Sequence, residues 1–177
     1  MYHEDRRDPS RLVPEFWTRY QQALAQVARQ GVNMKPYYME RSIFEQARLW
    51  RQSRSSSEVR NRIAHLENKG AKFMAHALNV VGSQPGTAGR HVTWVTLGWH
   101  QFGEACDAFW QVGGKAIWST SRGGAQNGYR MFRTVCKSIG LVHLRGDFPH
   151  IQYRSAAPLK HMSYADADRA MELKFNT

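Results

Sequence analysis

His100 and Asp107 stand seven residues apart in GWHQFGEACDAFW (98–110), with Gly103 between them. This spacing limits what the chain can fold into more than any other stretch does. On an unbroken strand, residues seven apart point to opposite faces and lie roughly 23 Å apart, at about 3.3 Å per residue. The two side chains meet only if the chain reverses between them. Gly103 permits a reversal, because glycine accepts backbone angles that other residues resist. The pair then has two readings: two ligands of one metal, or two polar residues flanking a turn.

A catalytic zinc needs three protein ligands, an open position for water, and a nearby base to take that water's proton. GDFPHIQYR (146–154) contains residue types for the missing parts, with His150 at the start of an alternating pattern and Asp147 three residues upstream. Pro149 pushes Phe148 toward an extended conformation, so Asp147 and His150 do not share a helical turn. No His-Glu-x-x-His occurs, which removes the helical zinc-peptidase arrangement. Taken alone, DFPH reads first as an ordinary turn before a strand.

The surrounding pattern is mixed. VPEFWTRYQQALAQVARQG (13–31) reads as a helix with Pro14 in its first turn, a stripe of Phe16, Trp17, Tyr20, Leu24 and Val27, and Gly31 as its stop. VNMKPYYME (32–40) reads as extended, with Pro36 arguing for an edge or a break. Ser42 with Glu45 and Ser55 with Glu58 each open a helix by the capping-box pattern, and the second is expected to run to about residue 80. GSQPGTAG (82–89) reads as a loop, HVTWVT (91–96) and GEACDAFW (103–110) as strands. Tyr129, Phe132, Val135, Cys136 and Ile139 mark a further helix stopped by Gly140. HIQYR (150–154) alternates again, and SYADADRAMELK (163–174) reads as a short closing helix. Helices and a few strands without a βαβ rhythm imply an α+β fold, and 177 residues fit one domain.

Charge narrows the partners. With 25 Lys and Arg against 14 acids, the net charge of +11 draws the surface to polyanions: nucleic acid, an anionic membrane face or an acidic cell-wall polymer. Hydrophobic residues at 42% and charged residues at 22% exclude a disordered chain. The start lacks the apolar core of a signal peptide, and no apolar run reaches membrane-spanning length. Synthesis in the cytoplasm is expected. Cys106 and Cys136 sit in apolar surroundings and read as buried thiols. His65 and His76 read as solvated, His91, His143 and His161 have no partner pattern, and the arginines of RLWRQSRSSSEVRNR (48–62) read as a solvated basic face.

Together the two motif segments resemble a known family. His-x-x-Gly-x-Ala-x-Asp (His100, Gly103, Ala105, Asp107), followed by Asp-x-Pro-His (Asp147 to His150), is similar to the zinc D,D-carboxypeptidase and L-alanyl-D-glutamate endopeptidase family of cell-wall peptidases. The upstream Arg41-Ser42, Glu45-Gln46 and Leu49-Trp50-Arg51-Gln52-Ser53-Arg54 fit that pattern in order. So does Pro85-Gly86, and GKAIWS (114–119) and SIGLVHLRGDFPH (138–150) follow its phage endolysin branch. The resemblance spans about residues 12–154. Gly98 departs from it, standing where the family has serine, and the tail 155–177 carries no motif of it.

The resemblance implies a single zinc peptidase domain over 1–177, α+β, with a small antiparallel sheet flanked by helices and the metal site at the sheet, as in hedgehog and D,D-peptidase domains. It implies one Zn2+ per chain on His100, Asp107 and His150, with Asp147 as general base. Arg41 would hold an oxyanion or a substrate carboxylate, assisted by Gln46, while Trp99 and Phe148 wall the cleft. The implied activity is endolysin-type cleavage of the L-Ala–D-Glu bond of peptidoglycan stem peptides. Removal of terminal D-Ala from D-Ala-D-Ala is the alternative on the same fold. The implied monomer would act on the cell wall or periplasm after release, with anionic envelope polymers engaging its basic surface. A basic nucleic-acid-binding module without catalysis is a weaker alternative, against which stands the absence of any nucleic-acid motif. A metal-free relative serving as a binding protein is another.

Overall fold

A computed structural model describes residues 7–81 and 93–176. The expected loop at 82–89, with Pro85 and Gly86, and His91 lie outside the described residues. Along the chain run α1 (Pro14–Arg29), β1 (Asn33–Tyr38), α2 (Ile43–Arg51), α3 (Ser56–Asn68), α4 (Lys72–Val80), β2 (Ala105–Val112), β3 (Lys115–Ile117), α5 (Gly128–Ser138), β4 (Val142–His143), β5 (His150–Gln152) and α6 (Tyr164–Phe175). The α+β class with a small antiparallel sheet is observed. The chain gathers into two compact units, each built from separated segments.

The unit formed by Asp5–Glu40 and Phe102–Ser155 contains the sheet. Its strand order is β1-β2-β5-β4, with β3 pairing the far end of β2, and every pairing is antiparallel. Helices α1 and α5 pack on each other and on β1, and the core between them and the sheet is apolar. Phe16, Tyr20, Ala23 and Val27 of α1 are buried, and Phe132 of α5 meets the Tyr20 ring edge-on at 5.5 Å. Each fully buried side chain of Phe or Val size contributes about 1.5–3 kcal/mol relative to exposure, so the seam between these helices anchors the unit. β1 is an edge strand, where Pro36 leaves no ladder bond unmade. The register slips beside that proline, between Pro36 and Tyr38.

Alternation along β2 separates two faces. Cys106 and Ala108 point into the core, as does Ile151 of β5, so Asp107, His150 and Gln152 lie on the opposite face. Cys106 and Cys136 are buried free thiols, as expected, and burial pushes both well above the usual thiol pKa.

The unit formed chiefly by Arg41–Gln101 and Ala156–Thr177 is helical. Ser42 accepts from the Glu45 amide to open α2, and Ser55 with Glu58 forms the full reciprocal box that opens α3. The long helix expected to about residue 80 is two helices. Gly70 takes a φ of +76°, a left-handed angle that ends α3 and is cheap only for glycine. α4 then starts without a side-chain cap of its own. Asp168 of α6 supplies one: its carboxylate accepts from the Phe73 and Met74 amides at 3.1 and 2.7 Å. A buried anion at a helix N-terminus satisfies exposed amides and complements the helix dipole.

Thr93 to Thr96, expected to belong to a strand, are not in one. Their polar groups are taken by side chains instead. Gln46 donates to Val95 O, buried Arg54 donates to Thr93 O, and Arg62 donates to the Thr96 hydroxyl. Arg54 also packs over the Trp50 ring, 4.8 Å from its centroid, so it departs from the expected solvated basic face. Among the described residues no helix is long and apolar enough to cross a membrane.

Candidate metal centre

The sheet carries the site through one cross-strand pair. β2 and β5 pair antiparallel with Asp107 opposite His150, both on the face away from the core. Directly opposed side chains in such a pair have Cβ atoms roughly 5 Å apart, and here His150 Nδ1 lies 3.2 Å from Asp107 Oδ1. His100 rides on the short 3-10 turn Trp99–Phe102, which leads through Gly103 into β2. His100, Asp107 and His150 each offer a ligand atom within 4.8 Å of the others. The chain thus reverses between His100 and Asp107, as a shared site requires.

Gly103 makes that reversal. Its φ is +72°, and a Cβ there would meet Arg11 O at 2.5 Å, with Leu12 Cα and Val13 N close behind. Its own carbonyl accepts from the Val13 amide at 2.9 Å. Gly103→Ala is therefore expected to destabilise the fold by at least about 1–2 kcal/mol, the cost of a left-handed angle at a residue with a side chain. The clash with backbone adds to that. The melting temperature should fall by several degrees, since roughly 2–4 °C accompanies each kcal/mol at this chain length. An alanine variant that melts with the wild type would show that the turn is not held by this contact.

The donor set fits a catalytic divalent metal. Two imidazoles and one carboxylate suit zinc, which takes such ligands at about 2.0–2.2 Å. Three protein ligands leave a fourth position for water or substrate. His100 and His150 are 4% and 7% exposed, while the Asp107 side chain keeps 19%, so the group is held firmly yet reachable on the carboxylate side. Burial disfavours charge on His150. The hydrogen bond that Nδ1 of the protonated ring donates to Asp107, with the charges of Asp107 and Asp147, outweighs it, and the His150 pKa is raised above the usual histidine value.

Asp147 lies on the connection before β5, exposed and outside the three-residue group. Its charge also acts on the half-buried Arg133, whose pKa is lowered by desolvation first and supported by Asp147. Phe148 packs against the hydrophobic core and under the Arg133 guanidinium, 4.5 Å from its ring centroid.

Arg41 and Gln46 meet at the start of α2. Arg41 Nη1 donates to Gln46 Oε1 at 2.9 Å, and the Arg41 amide donates to His100 O. Gln46 is 2% exposed, and its amide nitrogen is committed to Thr93 and Val95. Both polar ends of Gln46 are thus engaged within the protein, and its carboxamide oxygen orients Arg41.

Two glutamines without a motif also belong here. Gln101 is fully buried: its Oε1 accepts from the Gly98 amide at 2.6 Å and its Nε2 donates to Arg41 O. It thereby holds the segment where the family pattern has serine. The other, Gln152, accepts from His150. Strand alternation alone places Gln152 on the His150 face, a signal present in the sequence.

The tail joins this framework as well. Trp99 Nε1 donates to Ala156 O at 2.6 Å, and Lys174 Nζ donates to Gln101 O at 3.1 Å. The His161 ring lies 5.7 Å from that of Trp99. Both sides of His100 are thus fastened by residues beyond 155. His65 and His76 are exposed, as expected of solvated side chains, and His143 contacts Arg133.

No protein-family model matches the chain, and no curated protein does. Among solved structures it is similar to the vancomycin resistance D,D-pentapeptidase VanY of a VanB-type resistance cassette, a mutant in complex with Zn(II). The TM-score is 0.42 at 15% identity, over 89% of this chain and 76% of that one.

Proposed function

We propose that the chain is a zinc-dependent peptidase acting on the stem peptides of peptidoglycan. The observation that carries this reading is the gathering of His100, Asp107 and His150 ligand atoms within 4.8 Å, in a motif order that resembles cell-wall peptidases. Zinc would be held by these three residues and would supply a Lewis acid that brings the pKa of a water toward neutrality. The remaining chemistry falls to the chain. Asp147, outside the ligand group, takes the proton of the attacking water and delivers it to the leaving amine. Arg41, oriented by Gln46, offers a planar fork to an oxyanion or to a substrate carboxylate.

Two bonds suit this machinery. In the endolysin-type reading, supported by the stretches GKAIWS and SIGLVHLRGDFPH, it cuts L-Ala–D-Glu. In the carboxypeptidase reading, Arg41 binds the terminal carboxylate and D-Ala is released. Digestion of purified muropeptides followed by mass spectrometry separates them. Cutting at L-Ala–D-Glu detaches the stem peptide beyond its first residue, whereas the carboxypeptidase shortens pentapeptides by one alanine. Intact muropeptides after incubation with zinc-loaded protein would defeat both readings.

A further inference from the structure

We propose that Gln152 is the positioning residue of the metal centre, fixing the ring of His150 in the tautomer that presents Nδ1 to the metal. The proposal rests on the reading of His100, Asp107 and His150 as ligands. Gln152 is 4% exposed and lies two residues beyond His150 on β5, so the strand's period of two puts both side chains on one face. It is held between Ala105 of β2 and Val142 of β4.

The hydrogen bonds fix which atom is which. Gln152 Nε2 donates to Arg154 O, a carbonyl that can only accept. The carboxamide oxygen therefore faces the other way, and His150 Nε2 lies 2.9 Å from it. An amide oxygen only accepts, so Nε2 carries the hydrogen. In the neutral ring Nδ1 is then the lone pair, and it faces Asp107 Oδ1. Two acceptors confront one another there, an arrangement that a cation between them satisfies. Arg154 is itself fastened, because its guanidinium pairs with buried Glu104 through Nε and Nη2, and the Tyr153 amide donates to Glu104 O. The carbonyl that orients Gln152 thus sits on a clamped backbone.

A partner on the distal nitrogen fixes ring orientation and raises ligand basicity, and its loss typically costs about 10–100-fold in metal affinity. The test measures zinc dissociation constants by chelator competition for wild type, Gln152→Leu and Gln152→Glu. Leucine should weaken zinc by that factor. Glutamate, which still accepts from Nε2, should recover most of the loss. Nitrogen-15 NMR of the zinc-loaded wild type should show His150 with its hydrogen on Nε2, a readout that needs no variant to fold. A His150 hydrogen on Nδ1 in that spectrum would overturn the proposal. So would a folded leucine variant that binds zinc as tightly as wild type. If wild type binds no zinc, the metal reading itself fails, which is a separate result.

Discussion

Replacing Asp147 with asparagine is expected to lower turnover by about 10²–10⁴-fold, the usual worth of a positioned general base, while zinc stays near one per chain. Asparagine keeps the size of the side chain and removes its capacity to take a proton, together with the charge that acts on His150 and Arg133. The position favours a clean result: Asp147 is exposed, and it is outside the group of ligand atoms. Asp107→Asn should behave differently, because an amide is a poorer zinc ligand than a carboxylate and the metal itself should be lost. Near-normal turnover in Asp147→Asn would assign the base to another group. Loss of zinc as ready as in Asp107→Asn would make Asp147 a ligand.

His100→Ala and His150→Ala should each abolish both stoichiometric zinc and activity. Each leaves two of three ligands, and Asp107 with a single imidazole cannot complete a tetrahedral site. The two differ in what surrounds the loss. His150 leaves Asp107 Oδ1 and Gln152 Oε1 without the ring that both contact, whereas His100 sits on a turn fastened by Trp99 and Gln101. Metal content and activity should be read beside a melting curve, so that a folded, metal-free protein is distinguished from an unfolded one. Acid should mimic the substitution. Proton and metal compete for His150 Nδ1, and the raised pKa of His150 places that competition at higher pH than an ordinary histidine would. Full zinc content in both alanine variants would remove these residues from the coordination sphere.

What the sequence disclosed follows from how local each signal is. The helix stripe from Phe16 to Val27, the box of Ser55 and Glu58, and the edge strand interrupted by Pro36 all depend on neighbours within a turn or a ladder step, and the structure has each. The convergence of His100 and Asp107 was legible because Gly103 is nearly the only residue type that fits where Arg11 O lies 2.5 Å from a would-be Cβ. Non-local choices were not legible. Residues 72–80 continue the apolar spacing of α3, and only the backbone angle at Gly70 shows the break.

Val95 and its neighbours alternate like a strand, yet Gln46, Arg54 and Arg62 take their polar groups. No periodicity reveals a side-chain partner some 30 to 50 positions away. The tail gave no motif because its work is distant: Asp168 caps α4, and Ala156 and Lys174 fasten the turn bearing His100. Gln152 was within reach of strand alternation, but its role needed the Arg154 carbonyl that settles its orientation.

The most direct test of the metal centre is X-ray absorption at the zinc edge on protein loaded with zinc and freed of excess. The account predicts one zinc per chain with a first shell of nitrogen and oxygen only, at about 2.0–2.2 Å, and the signature of two imidazoles. Zinc that washes out, or a sulfur shell at about 2.3 Å drawn from a cysteine, would contradict it.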